Sequence, residues 1–149
     1  MAPYLIIFFL PVFFHFFLKN THEQNKRYFT YLIIFIIFLF SVLRGDIGGD
    51  HKRYLLSFNE LKFDLTHVFG LKQDLLFYYS NWIIKYFFGE FIYFKVFCGI
   101  LFFLPLTIFI IKTKSFFLGL VIILPIGVYL IHLGYIKQSI SVAFFFLIY

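Results

Sequence analysis

Charge is scarce in this chain of 149 residues: Asp, Glu, Lys and Arg make up 13%, about half the share usual in a soluble domain. With 62% hydrophobic residues and a mean hydropathy of +0.94, that scarcity argues against a soluble domain and for a helical membrane protein. Cysteine is nearly absent too. Cys98 is alone and lies in an apolar run, so it forms no intrachain disulfide and reads as a small buried hydrophobe. Acids number 7 against 13 bases, for a net charge of +6. That surplus does not indicate nucleic-acid binding, because the bases gather in short loops between apolar runs, where positive-inside bias puts them. The start of the chain lacks a basic segment and a small-residue cleavage site, so it reads as a first span and not a removable signal peptide. There is no Walker or Rossmann glycine pattern, and thus no implied nucleotide. No internal repeat is evident.

The apolar runs that remain predict an all-α, polytopic membrane protein with about four to five transmembrane helices and one interfacial amphipathic helix. The runs are Ala2–Leu18, Tyr28–Leu43, Phe91–Ile111 and Phe116–Gly134, with a last apolar stretch from Ile140 to Tyr149. Pro11 is expected to kink the first, and Pro105 lies in the third. Lys19, Lys26 and Arg27 place the first loop in the cytoplasm, which puts the N-terminus outside. Lys112 and Lys114 then return inside. Residues 44–74 form an extracytoplasmic loop with five bases and five acids, and Lys137 falls on the same outer side. The final stretch is about 15 Å of helix, half of a roughly 30 Å hydrocarbon core, which reads as a chain that stops inside a span.

The segment Asp74–Phe88 reads as the interfacial helix. Asp74, Tyr78, Asn81 and Lys85 recur at i, i+4, i+7 and i+11, one helical face. Trp82, Tyr78, Tyr79 and Tyr86 give it the aromatic belt of a membrane surface, and Gly89 is expected to end it.

The polar island Arg44-Gly-Asp-Ile-Gly-Gly-Asp50-His-Lys-Arg-Tyr54 follows the second span and is the strongest candidate for chemistry. Arg44 either snorkels to headgroups or clamps phosphate with its paired donors. Gly45, Gly48 and Gly49 let backbone N–H groups approach an anion. Asp50 reads as the N-cap of a helix whose Tyr54, Phe58 and Leu61 share one face, or as a carboxylate that acts as a general base. Asp46, Asp50 and His51 offer too few oxygens for a divalent metal site, so no metal and no cofactor are expected. Lys137 and Gln138 open the last helix. Polar groups entering a membrane together call for a partner, and two cations on one face can bracket a diphosphate. His132 and Tyr135 lie just before them. His15 reads as a packed histidine, Lys95 as a snorkelling lysine, and Glu90 as an acid at the positive end of the third span's helix.

The order Arg44…Gly49-Asp50…Tyr54…Phe58, then an amphipathic surface helix, then Lys137-Gln138, resembles the EpsG family of membrane proteins of exopolysaccharide and O-antigen assembly, related to Wzy-type polymerases. Gly49 stands where the family usually has Thr, His51 where it has Tyr, Lys137 where it has Arg, and Ser141 where it has Ala. Family members are about twice this length or more, so residues 1–149 correspond to a single membrane domain at the N-terminal part of the family fold. The resemblance implies a bacterial inner-membrane glycosyltransferase, or a fragment of one, that joins undecaprenyl-diphosphate-linked sugar repeat units at the outer face. Its partners would be the bilayer, that lipid-linked oligosaccharide and other polysaccharide-export components. Arg44 and Asp50 would be catalytic. Arg44, Gly48, Gly49, Tyr54, Lys137 and Gln138 would bind substrate. The alternative is a non-enzymatic membrane subunit or transporter-like protein that binds lipid-linked glycan or other anions.

Overall fold

The computed structural model describes residues 2–18, 20–43, 50–61, 75–113 and 116–123, together with 137, 138, 141, 142, 144 and 145. All regular structure among them is helical. Helices α1 (Ala2–Phe17), α2 (Glu23–Leu43), α3 (His51–Glu60), α4 (Leu75–Phe88), α5 (Phe91–Lys112) and α6 (Phe116–Ile123) follow one another in chain order.

Two of these, α2 and α5, are long and apolar enough to cross a membrane. At 1.5 Å per residue they measure about 32 and 33 Å, against a hydrocarbon core of about 30 Å. The four to five spans expected from the apolar runs are therefore matched clearly by two. Helix α1 has 16 residues, about 24 Å, and most of the run 116–134 and of the last stretch lies outside the described residues. Helix α2 also begins earlier than the apolar run, at Glu23. Polar residues 23–27 extend the helix one turn beyond the apolar part, and Glu23 in the first turn complements its dipole.

The surface of α2 and α5 supports a lipid solvent. On α2, Ile33, Ile34 and Ile37 are buried while Leu32, Phe35, Ile36, Leu39 and Leu43 are exposed. On α5, Ile100, Leu104 and Ile108 form an exposed row opposite buried Phe102, Phe103 and Leu106. A helix apolar on its outward as well as its inward face belongs in a membrane. In that solvent the hydrophobic effect does not draw helices together, and close packing does. Gly99 on α5 provides it: a Cβ there would lie 2.8 Å from Phe38 Cε2 and 3.1 Å from Val42 Cγ2 on α2.

Two apolar clusters divide the molecule. The first joins Ile33, Ile34 and Ile37 of α2 to Phe102, Phe103, Leu106 and Ile110 of α5, with Leu18 after α1 and Leu120 of α6. The second gathers Tyr54 and Phe58 of α3, Ile84 of α4, and Phe91, Phe94 and Cys98 of α5. The turns after α1 and α5 are self-capped. Thr21 Oγ1 donates to Leu18 O at 2.8 Å after α1, and Thr113 Oγ1 donates to Ile110 O at 2.7 Å after α5. Gly89 ends α4 with φ +75° and its N–H donates to Lys85 O, as expected for a left-handed glycine after a helix.

Candidate functional site

Helix α3 is built as the polar island predicts. Asp50 occupies its N-cap position, with φ −110° and ψ 8°, and the Asp50 carbonyl accepts from Tyr54 N–H at 2.9 Å. Its side chain makes no capping hydrogen bond. The position is that of a cap, but the carboxylate does not do a cap's work. Tyr54, Phe58 and Leu61 are all buried, so the shared face faces the protein. His51 is buried as well and packs edge-on against Phe91, 5.5 Å between ring centroids.

The face of α3 meets α4 and α5 through rings. Phe58 sits 5.5 Å from Phe91 and 6.3 Å from Phe94. Tyr54 lies 5.4 Å from Phe77 of α4, and Phe77 stands edge-on to Phe94 at 5.3 Å. At the other end of α3, Lys85 Nζ donates to Asn59 O at 2.7 Å and to Leu61 O at 2.8 Å, and lies 5.7 Å from the Phe58 centroid. A helix C-terminus exposes unpaired carbonyls and partial negative charge, and the ammonium satisfies both. Desolvation of that ammonium holds its pKa below the ordinary lysine value.

This arrangement changes the meaning of the periodic face on α4. Asn81 is buried, Tyr78 and Lys85 are half-buried, and Leu75, Leu76, Tyr79, Tyr86, Phe87 and Phe88 are exposed. The described part of the polar stripe, Tyr78, Asn81 and Lys85, thus points into the protein. In an apolar solvent a polar group is costly unless partnered internally, and the α3 carbonyls give Lys85 its partners. Asn81 is satisfied in part: Nδ2 donates to Phe77 O at 2.8 Å, while Oδ1 is buried without a donor.

Lys137 reaches the same place from far along the chain. Its Nζ lies 4.5 Å from the Phe77 ring centroid and 5.5 Å from that of Tyr78, contacts worth ~0.5–2 kcal/mol depending on desolvation. Phe77 therefore touches both Tyr54 of the polar island and Lys137. A cleft of about 610 Å³ opens beside it, between α4 and α5. Among the described residues, its walls are apolar except for Lys137, Ser80 and Ser141, and Cys98 lines it from α5. Ser141 Oγ donates back to Lys137 O at 3.3 Å, and Gln138 is exposed.

Among the expected site residues, the structure thus brings Tyr54 and Lys137 together and sets Asp50 one turn before Tyr54. Arg44, Gly48 and Gly49 lie outside the described residues, as do Asp46, His132 and Tyr135. His15 is half-buried and edge-on to Phe16, and Glu90 stands at the N-cap of α5. Phe77 is the member that sequence reasoning misses, whereas Lys85 is read there as part of the polar stripe. The signal for Phe77 is the helical row Phe77, Asn81 and Ile84, which shares Asn81 with that stripe.

A model of the EpsG family matches residues 26–149, from the first turns of α2 through the Lys137 segment. The chain belongs to the EpsG family. It is accordingly a membrane protein of polysaccharide biosynthesis, polymerase-like in kind. No curated protein and no solved structure matches it.

Proposed function

We propose that this EpsG-family chain takes part in joining undecaprenyl-diphosphate-linked sugar repeat units at the outer face of the bacterial inner membrane. In this reading it is a multi-pass protein of four to five spans with its N-terminus outside. The observation that carries the proposal is Phe77, against which Tyr54 and Lys137 both pack across 83 residues of chain. In this reading α3 and the opening of a later helix contribute to one site.

The chemistry follows from the residue types. An acceptor hydroxyl attacks the anomeric carbon of the donor sugar, its proton passes to the Asp50 carboxylate, and the bond from that carbon to the diphosphate oxygen breaks. Charge grows on the departing diphosphate. Arg44 and Lys137 hold its oxygens, and N–H groups at Gly48 and Gly49 add donors. Tyr54 shapes the sugar site beside Asp50, and Gln138 offers an amide to a sugar hydroxyl. Absence of a capping bond from Asp50 supports its assignment, because a carboxylate tied to its own helix is a weaker base.

Complementation tests the proposal. A strain without its own polymerase would express the chain in its full reading frame, and glycan length would be read as a ladder on a gel. A ladder that disappears with Asp50→Asn and shortens with Lys137→Ala is expected. A full ladder from the Asp50→Asn variant would refute the base assignment. No ladder from the unsubstituted, membrane-inserted protein would refute polymerisation itself.

A further inference from the structure

We propose that His51 is a positioning residue for the reaction: its ring, seated on Phe91, aims the Asp50 carboxylate. The inference rests on the proposed function for the role of Asp50, while the seat itself is argued from the packing of α3.

His51, Lys52 and Arg53 follow Asp50 in a row, and they part company in the fold. Lys52 and Arg53 are exposed, whereas His51 is only 6% exposed. Position 51 opens the face continued by Tyr54, Phe58 and Leu61, all buried, so a polar ring heads an otherwise apolar row. That ring stands edge-on to Phe91, 5.5 Å between centroids and 76° between planes, a preferred arrangement for ring pairs. Phe91 in turn takes Phe58 at 5.5 Å and stacks on Phe94 at 5.8 Å. It is the first residue of α5, the helix that Gly99 brings close to α2. His51 is therefore seated on a helix anchored elsewhere in the molecule.

Asp50 needs such a seat. Its side chain makes no capping hydrogen bond, so no cap ties the carboxylate to α3. Gly48 and Gly49 before it bring no side chains to hold it. The direction of its Cα–Cβ bond is left to the first turn of the helix, where its carbonyl accepts from Tyr54 N–H at 2.9 Å. Two rings secure that turn, Tyr54 against Phe77 at 5.4 Å and His51 against Phe91. His51 is the nearer of the two, one residue from the carboxylate. Lys85 holds the other end of the helix and leaves this end to the rings. A general base must lie within hydrogen-bond reach of the proton it takes, and a misplacement of about 1 Å can cost on the order of 100-fold in rate.

The test is steady-state kinetics of the protein in its full reading frame, in detergent, on lipid-linked repeat units from a polymerase-deficient strain. Rates are counted per folded protein. His51→Ala should lower kcat roughly tenfold and leave KM within about twofold, because aim is lost and binding is not. His51→Phe keeps a ring, loses both nitrogens and should restore most of kcat. Unchanged kcat in folded His51→Ala overturns the proposal. His51→Phe as slow as His51→Ala overturns it too, since the imidazole nitrogens then act directly. A rise in KM with kcat kept also overturns it and puts the ring in substrate binding. Phe91→Leu removes the seat from the other side and carries the same expectation should His51→Ala fail to fold. Hydrogen exchange separates this inference from the broader one. The Tyr54 amide should exchange faster in His51→Ala and not in His51→Phe. No polymerisation by the unsubstituted protein defeats the proposed function, and the Tyr54 amide then decides the seat by itself. Normal polymerisation and unmoved exchange in His51→Ala defeat the seat and leave polymerisation standing.

Discussion

Replacing Lys85 by Met removes an ammonium and keeps most of the aliphatic stem, so it isolates the clamp on α3. Two charge-assisted hydrogen bonds are lost, to Asn59 O at 2.7 Å and Leu61 O at 2.8 Å, with one cation–ring contact at 5.7 Å. Such bonds are worth about 1.5–3 kcal/mol each when well shielded. Lys85 is only half-buried, so water recovers much of each bond, and the desolvation that lowers its pKa offsets more. A net loss of about 1–2 kcal/mol results, a factor of roughly 5–30 in an opening equilibrium. The effect is local. Amides of residues 54–60 should exchange faster by that factor, measured by hydrogen exchange with mass spectrometry in detergent, while amides in the middle of α5 hold their protection. Lys85→Arg keeps the charge and should retain most of it. Unchanged exchange in α3 of Lys85→Met would refute the clamp, and equal acceleration in α5 would show that the side chain supports the whole fold instead.

Gly99→Leu forces a side chain into the space of Phe38 and Val42, where even a Cβ meets atoms at 2.8 and 3.1 Å. Overpacking of this kind costs about 1–3 kcal/mol, and the thermal unfolding midpoint in detergent should fall; an unchanged midpoint would mean that α2 and α5 do not pack there. Gly89→Ala meets nothing within 4 Å but keeps φ at +75°, so it should cost about 1 kcal/mol from backbone strain alone, read in the same melt. Asn81→Leu removes a buried Oδ1 that has no donor at similar volume. It should be neutral or slightly stabilising, and a drop of more than about 2 kcal/mol would reveal a donor for that oxygen.

How far the site was legible depends on the reach of each signal. Asp50 at a helix start, the shared face of Tyr54, Phe58 and Leu61, and Gly89 as a helix end follow from local spacing, and the structure has each of them. The stripe on α4 was legible as a stripe, but its direction was not. Periodicity says which residues share a face and is silent on what that face meets. In water the polar side turns outward; beside lipid, with carbonyls at the end of α3 in reach, it turns inward. Phe77 is not legible locally, because an aromatic residue in a Phe-Tyr-Tyr run has the same appearance whether it lies at a membrane surface or between two site residues.

Sequence alone therefore determined the class of molecule: apolar runs of spanning length, bases in the loops and a charged island between them, all set by the cost of polar groups in hydrocarbon. Its order of motifs also carried the family. Tertiary structure decided which distant groups meet. Lys137 reaching the ring that Tyr54 touches, Lys85 closing the end of α3, and a cleft left between α4 and α5 bring together residues 17 to 60 positions apart in the chain. No helical period spans such separations. Only the packing of helices against one another, at distances set by residues such as Gly99, brings them together.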